Sequence, residues 1–142
     1  MNKQQVLLQL FVRESAQQKL QSHESINTAL LEDKNYIDWH AQKRDIVSID
    51  VVQTHWIKTC TGGYITELVF HHDGTFNEYR LFDRFETHGT WSLIEGLLNV
   101  TIVKADNNYH FSMVGNVQLN IHSAVEHKNS ELHSYLKFAQ IK

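Results

Sequence analysis

The feature that most constrains this chain is a change of period at Ile46. From there on, apolar residues alternate with polar ones, and turn-forming residues break the alternation at short, regular intervals. The turn signals are Thr61-Gly62-Gly63, Asp73-Gly74, Glu95-Gly96, Asp106-Asn107-Asn108, Gly115-Asn116 and Lys128-Asn129-Ser130. Asp73-Gly74 and Gly115-Asn116 are hairpin dipeptides, because a type I′ turn needs positive φ at both central residues. The signals cut the segment into eight expected strands, near 46–58, 64–72, 75–82, 87–94, 97–104, 109–114, 117–125 and 132–141. No helical pattern separates them, and short links make antiparallel neighbours. The expected fold is mainly β, within a β-rich α+β chain. It is an antiparallel up-and-down meander that forms a closed barrel or a strongly curled sheet.

Alternation also predicts which side chains face inward. Leu68 and Phe70 share a face with Tyr64 and Thr66, and Trp91 and Leu93 share one with Gly89. Leu98, Val100 and Ile102 form a third face, and Tyr109, Phe111 and Met113 a fourth. Val117, Leu119, Ile121 and Val125 are expected together, as are Leu132, Leu136 and Phe138. Strand 75–82 breaks the rule: Phe76, Glu78, Arg80 and Phe82 fall on one face, and Thr75, Asn77, Tyr79 and Leu81 on the other. If the two Phe point inward, so do Glu78 and Arg80. An unpaired ion in a dry core costs several kcal/mol, so these charges need a partner, a wet cavity or a ligand. Otherwise the strand is edge-like and its charges are solvated.

The first 45 residues read as helical. Leu8, Val12, Ala16 and Leu20 recur at i+4, and Leu7, Leu10 and Phe11 widen the stripe into a helix over 3–21. Between Val6 and Val12 it is apolar most of the way round. It therefore needs cover from a sheet, from a barrel end, or from a second copy of itself in a homodimer. Ser22 to Ser25 breaks it, residues 26–33 form a short helix, and 35–44 reads equally as a further helical turn or an extended approach. Tyr36 and Trp39 are expected to seal the join between helices and sheet.

With 142 residues the chain is expected to be a single domain, 1–142, divided into the helical segment 1–45 and the sheet 46–142. A domain near this size buries about 68–70% of its unfolded surface and needs no staples. A net charge of −3 supplies no basic field for nucleic acid. No apolar run approaches the roughly 20 residues of a membrane span. Gln9 and Arg13-Glu14 break up what could pass for a signal peptide, and no small-residue cleavage pattern follows. The single Cys60 precludes an internal disulfide, which fits a cytoplasmic protein.

Ten His residues suggest metal, but alternation places His88, His110, His122 and His133 on polar strand faces, and adjacent His71 and His72 point opposite ways. No spaced ligand motif is present. Cys60 lacks a neighbouring base, since His55 is about 17 Å away along an extended strand. Neither a metal, nor a cofactor, nor a catalytic residue is expected.

Leu68-Val-Phe-His-His-Asp-Gly-Thr-Phe76, followed by Gly89-Thr-Trp-Ser-Leu-Ile-Glu-Gly-Leu-Leu-Asn-Val-Thr-Ile102, resembles the repeats of small lipocalin-like proteins of the calycin type. Trp56 resembles the Trp on the first strand of such barrels, with Thr54-His55 in front of it where the family carries Gly. The resemblance covers 65–102 well and 46–125 loosely. It implies a cup for a hydrophobic or amphipathic small molecule and no particular reaction. The alternative folds are the α+β cone of ketosteroid-isomerase-like proteins and a flat sandwich.

The expected function is thus non-enzymatic binding of a small apolar or amphipathic ligand in the barrel interior. Its site would be Trp56, Phe70, Phe76, Glu78, Arg80, Trp91 and Tyr109, with Arg80 as an anion anchor. Two alternatives stand beside it: a protein-interaction module working through the N-terminal helix, and a small cone-fold enzyme with Glu78 as its acid.

Overall fold

The computed structural model describes residues 2–15 and 19–141. Three helices, α1 (Lys3–Ser15), α2 (Lys34–His40) and α3 (Ser48–Val52), accompany nine strands. The strands are β1 (Lys43–Arg44), β2 (His55–Cys60), β3 (Ile65–Phe70), β4 (Thr75–Arg80), β5 (Glu86–Ile94), β6 (Leu97–Lys104), β7 (Asn107–Asn116), β8 (Ile121–Lys128) and β9 (Glu131–Ile141). Strands β2 to β9 pair in sequence order, every pair antiparallel, and β9 returns to β2. The result is a closed eight-strand meander with the helices outside it, not a cone or a flat sandwich. Closure leaves no free edge among these strands. The two-residue β1 lies against the end of β7, with Lys43 opposite Asn116.

Eight strands enclose an interior just wide enough for side chains. Trp56, Leu68, Phe70, Phe76, Leu98, Val100, Phe111, Met113, Ala124, Leu136 and Phe138 fill it. Gly89 sits opposite Phe76 on the paired strand. A Cβ there would come within 2.2 Å of the Thr101 carbonyl oxygen and 2.6 Å of the Phe76 ring, so the ring occupies the space the glycine leaves.

Residues 46–54 do not extend the first strand. Val47, Val51 and Val52 suit a strand, but Asp50 accepts the Val47 N–H at 3.1 Å and two Arg44 contacts at 2.8 and 3.4 Å, which fixes a helical turn. The turn is α3, and it closes one end of the barrel by burying Val51 in the core, where its carbonyl receives the Trp56 indole N–H at 3.3 Å.

Two turns differ from expectation. Asp73-Gly74 belongs to a three-residue loop, 72–74, closed by the His71 N–H on the Thr75 carbonyl at 2.8 Å; of its residues only Gly74 has positive φ. Gly115-Asn116 is not a turn at all. It ends β7, and Gly115 permits the approach of β1, since a Cβ would meet the Arg44 carbonyl oxygen at 2.8 Å. The link to β8 is therefore 117–120, and Val117 and Leu119 are exposed at 56% and 62% rather than inward. Ile121 and Val125 share the outward face of β8; Val125 is buried beneath the helices and Ile121 is exposed. The positive-φ pairs are Glu95-Gly96 and Asn129-Ser130, each linking its strands through two residues.

The second core lies outside the barrel wall. Val6 to Val12 of α1 are buried without interruption, Gln9 included, against Val114, Val125 and Tyr135 of the wall and against Ile26 and Tyr36. Phe11 meets Tyr36 and Trp39 edge-on, with ring centroids 5.3 and 5.6 Å apart. Each fully buried Leu or Val contributes about 1.5–3 kcal/mol. The surface that suggested pairing with a second copy is thus covered by the chain itself. Described helix ends at Ser15; of the expected continuation to residue 21, residues 16–18 lie outside the described residues and 19–21 are not helical. Residues 28–32 form a 3-10 turn capped by the Asn27 side chain, and Asp33 caps α2, so 35–40 takes the helical alternative while Lys43–Arg44 takes the extended one as β1. Among the described residues no helix is long and apolar enough to cross a membrane.

Candidate functional site

The barrel interior changes character along its axis. Strands run alternately between the α3 end and the opposite end, so the sequence of each inward track can be followed toward the mouth. On β2 it runs Trp56, Lys58, Cys60; on β3, Phe70, Leu68, Thr66; on β4, Phe76, Glu78, Arg80; on β6, Val100, Ile102, Lys104; on β8, Ala124, Glu126. All but the β2 track, which ends in Cys60, end polar at the mouth. The packed aromatic floor gives way there to a cavity of about 420 Å³, lined by these polar ends together with Tyr64, Phe85, Thr87, Tyr109, His133, Ser134 and Leu136. Its size falls within the range of about 300–1,000 Å³ typical of small-molecule pockets.

At the base of the cavity lies a buried ion pair. Lys58 Nζ is 2.5 Å from Glu78 Oε2, and the same oxygen accepts the Thr66 hydroxyl at 2.6 Å. Glu78 is only 8% exposed, so β4 is not edge-like there; its inward charge has a partner on β2. Arg80 has a different fate. It is half-exposed at the rim, bound to Asp83 at 2.7 Å and lying over the Phe85 ring at 4.9 Å.

Glu126 is the second buried carboxyl, 7% exposed. Among the described residues no group donates it a hydrogen bond, and its nearest ion-pair contact is His133 Nε2 at 3.9 Å. Burial raises its pKa above the ordinary carboxyl value; Lys58 and His133 pull it back, and the negative Glu78 adds to the rise. At the base one amine and two carboxyls share a space that an apolar floor closes from below, and the amine is already paired with Glu78.

His133 reaches the cavity because β9 carries an extra residue. Glu126 pairs with Ser134 but the next residue, His127, pairs with Leu132, which leaves His133 unpaired in a bulge. Bulges re-aim side chains and concentrate at barrel rims. This one reverses the alternation, so His133 leaves the outer face expected for it, while Leu132 turns outward to the helices and away from Leu136 and Phe138.

The residues expected to bind ligand divide into two groups. Glu78, Arg80 and Tyr109 line the cavity. Trp56, Phe70 and Phe76 form the packed floor, and Trp91 stands at the α3 side with its indole N–H on the His71 carbonyl at 2.9 Å. Lys58 and Glu126 were missed. Lys58 carries the signal of a polar residue on the inward parity of Trp56, at the last position of the expected strand 46–58, whereas Glu126 lies one residue past the expected end at 125 and on the parity expected to face outward.

The opposite end holds the other buried polar group. His122 is fully buried against Trp56, on the inward rather than the polar outer face: Val117 and Leu119, which set the expected parity, lie in the exposed link, and His122 shares its inward side with Ala124. Its Nδ1 accepts the Asn116 N–H at 2.8 Å, which leaves Nε2 as the donor to Gln140 Oε1 at 2.6 Å. Burial lowers its pKa. Among the described residues no group of three or more His, Cys, Asp or Glu is arranged to hold a metal ion. A cleft of about 460 Å³ on the outer wall, beside Arg13, Lys19 and Tyr135, has no carboxylate among the described residues that line it.

No protein-family model, curated protein or solved structure matches the chain.

Proposed function

We propose that the protein is a non-enzymatic binder of a small amphipathic molecule, which it holds at the mouth of the barrel. The observation that carries this reading is the abrupt change along the axis. A filled aromatic floor meets an open cavity of about 420 Å³ whose base holds Lys58, Glu78 and Glu126. Charged groups at the base of a barrel are costly unless something polar meets them. The ligand's polar end belongs at that base, and its apolar part against Ile102, Leu136, Tyr109 and Phe85. The closed eight-strand meander and the motifs at 68–76 and 89–102 also support reading the chain as a lipocalin-like barrel of the calycin type. With one cysteine the chain forms no internal disulfide, which supports a cytoplasmic placement.

The test is calorimetric titration with a neutral amphiphile, n-hexanol, on the wild type and on Thr87→Trp, whose indole would fill the cavity. Saturable binding by the wild type that is lost in Thr87→Trp supports the reading. Absence of binding by alcohol, amine and carboxylate alike overturns it, and so does binding that Thr87→Trp leaves intact.

A further inference from the structure

The cavity base is not balanced. Glu78 Oε2 is taken by Lys58 and Thr66, and Lys58 is neutralised in turn. Glu126 faces the same cavity, more than nine-tenths buried, with no hydrogen-bond donor among the described residues. Its nearest ionic neighbour, His133, carries charge only when protonated. The cations further out offer no remedy: Arg80 is held by Asp83, and Lys104 lies over the Phe85 ring at 5.3 Å, both at the rim.

Resting on the cup reading above, we propose that the ligand is a primary amine, seated with its ammonium on Glu126 and its hydrocarbon part toward Ile102, Leu136 and Tyr109. An ammonium supplies the charge and the donors that the base lacks, and a charge-assisted hydrogen bond is about twice as strong as a neutral one. A carboxylate ligand fits neither way round. Head-inward, it meets two carboxyls and a lysine that is already paired. Head-outward toward Lys104, it buries its hydrocarbon tail against the Lys58–Glu78 pair and Glu126. The raised pKa of Glu126 is consistent with a carboxyl whose counter-ion arrives with the ligand.

The discriminating experiment titrates the full chain with n-hexylamine, n-hexanol and n-hexanoate at about pH 8, where the amine is protonated and carboxyls are ionised. Hexylamine is expected to bind about tenfold or more tighter than hexanol, a factor worth about 1.4 kcal/mol, with hexanoate weakest. In Glu126→Gln the amine-to-alcohol preference should collapse to near unity. Glu126→Asp, which keeps the charge, should retain most of it, and thermal unfolding of both variants shows that they are folded. Hexanoate binding as tightly as hexylamine, or a preference that survives Glu126→Gln, overturns the proposal. If hexanol binds and hexylamine binds no better, the amine assignment falls while the cup reading stands. If none of the three binds, both fall.

Discussion

The Tyr135 hydroxyl donates a hydrogen bond to Glu14 Oε2 at 2.5 Å, joining residues 121 positions apart. The other carboxylate oxygen accepts the Trp39 indole N–H and Lys43 Nζ, each at 3.0 Å. One side chain at the end of α1 thus ties α2, β1 and β9 together. Burial opposes the charge on Glu14, but Tyr135 and Lys43 outweigh it and hold the carboxyl below its ordinary value, while burial and Glu14 push the Tyr135 phenol up.

Removing that carboxylate leaves a largely buried Lys43 without its counter-ion. Glu14→Ala should therefore cost about 3 kcal/mol or more, and Tyr135→Phe, which deletes one charge-assisted bond, about 1.5–3 kcal/mol. Urea unfolding measures both. Equal and small losses, under about 0.5 kcal/mol, would mean that the latch is an ordinary surface contact.

Two glutamates, Glu14 and Glu126, should shift stability with pH in opposite senses. Glu14 has a lowered folded pKa, so its contribution is complete above the ordinary value near 4.5 and is lost as pH falls through the folded value. Glu126 has a raised one, so its contribution is complete below about 4.5 and is lost as pH rises through the folded value. At neutral pH, Glu126→Gln should raise the urea midpoint and Glu14→Gln should lower it, with both differences shrinking in acid. A Glu126→Gln variant less stable than wild type at pH 7 would show that Glu126 is paired in the free protein.

His122 should stay a neutral Nε2–H tautomer well below its ordinary titration range. Protonating Nδ1 would set it against the Asn116 N–H, which can only donate. Long-range proton–nitrogen NMR at about pH 6 should show that tautomer, where a free imidazole is mostly charged. An Nδ1-protonated ring or an imidazolium there would refute the closed-end geometry.

Gly89→Ala should destabilise by about 1–3 kcal/mol or more, the range for overpacking a filled core. The nearer obstacle is the Thr101 carbonyl oxygen, which the sheet holds in place, and the second is the Phe76 ring. Adding Phe76→Leu to Gly89→Ala should recover only the part due to the ring, and a double-mutant cycle reads that coupling.

How much of this was legible in the sequence follows from which signals are local. Strand β6 matches its expected bounds because Leu98, Val100 and Ile102 alternate without a break between two good turns. Residues 46–54 misled because β-branched residues favour strands, whereas one side chain, Asp50, nucleates α3 through contacts to Val47 and Arg44. A bulge has no composition signature, so the reversal at His133 was invisible, and a one-residue slip moves every later side chain to the other face. Glu78 was legible through the parity it shares with Phe76, but Phe82, expected on the same face, lies past the end of β4 and is 95% exposed. Lys58 shares the parity of Trp56 within the expected strand and was legible there, whereas Glu126 became visible only once β8 had its true bounds and facing.

The outer seat of α1 has a consequence for synthesis. Its Val6–Val12 surface rests on Val125 and Tyr135, so the segment made early waits for strands made late. At about 5–20 residues per second, the 121 positions between Glu14 and Tyr135 take roughly 6–24 s to translate. Throughout that interval the nascent chain carries an apolar helix with no wall to lie on. Its expression in cells should accordingly respond to chaperones that shield early segments, even though the finished barrel leaves Val6 to Val12 fully covered.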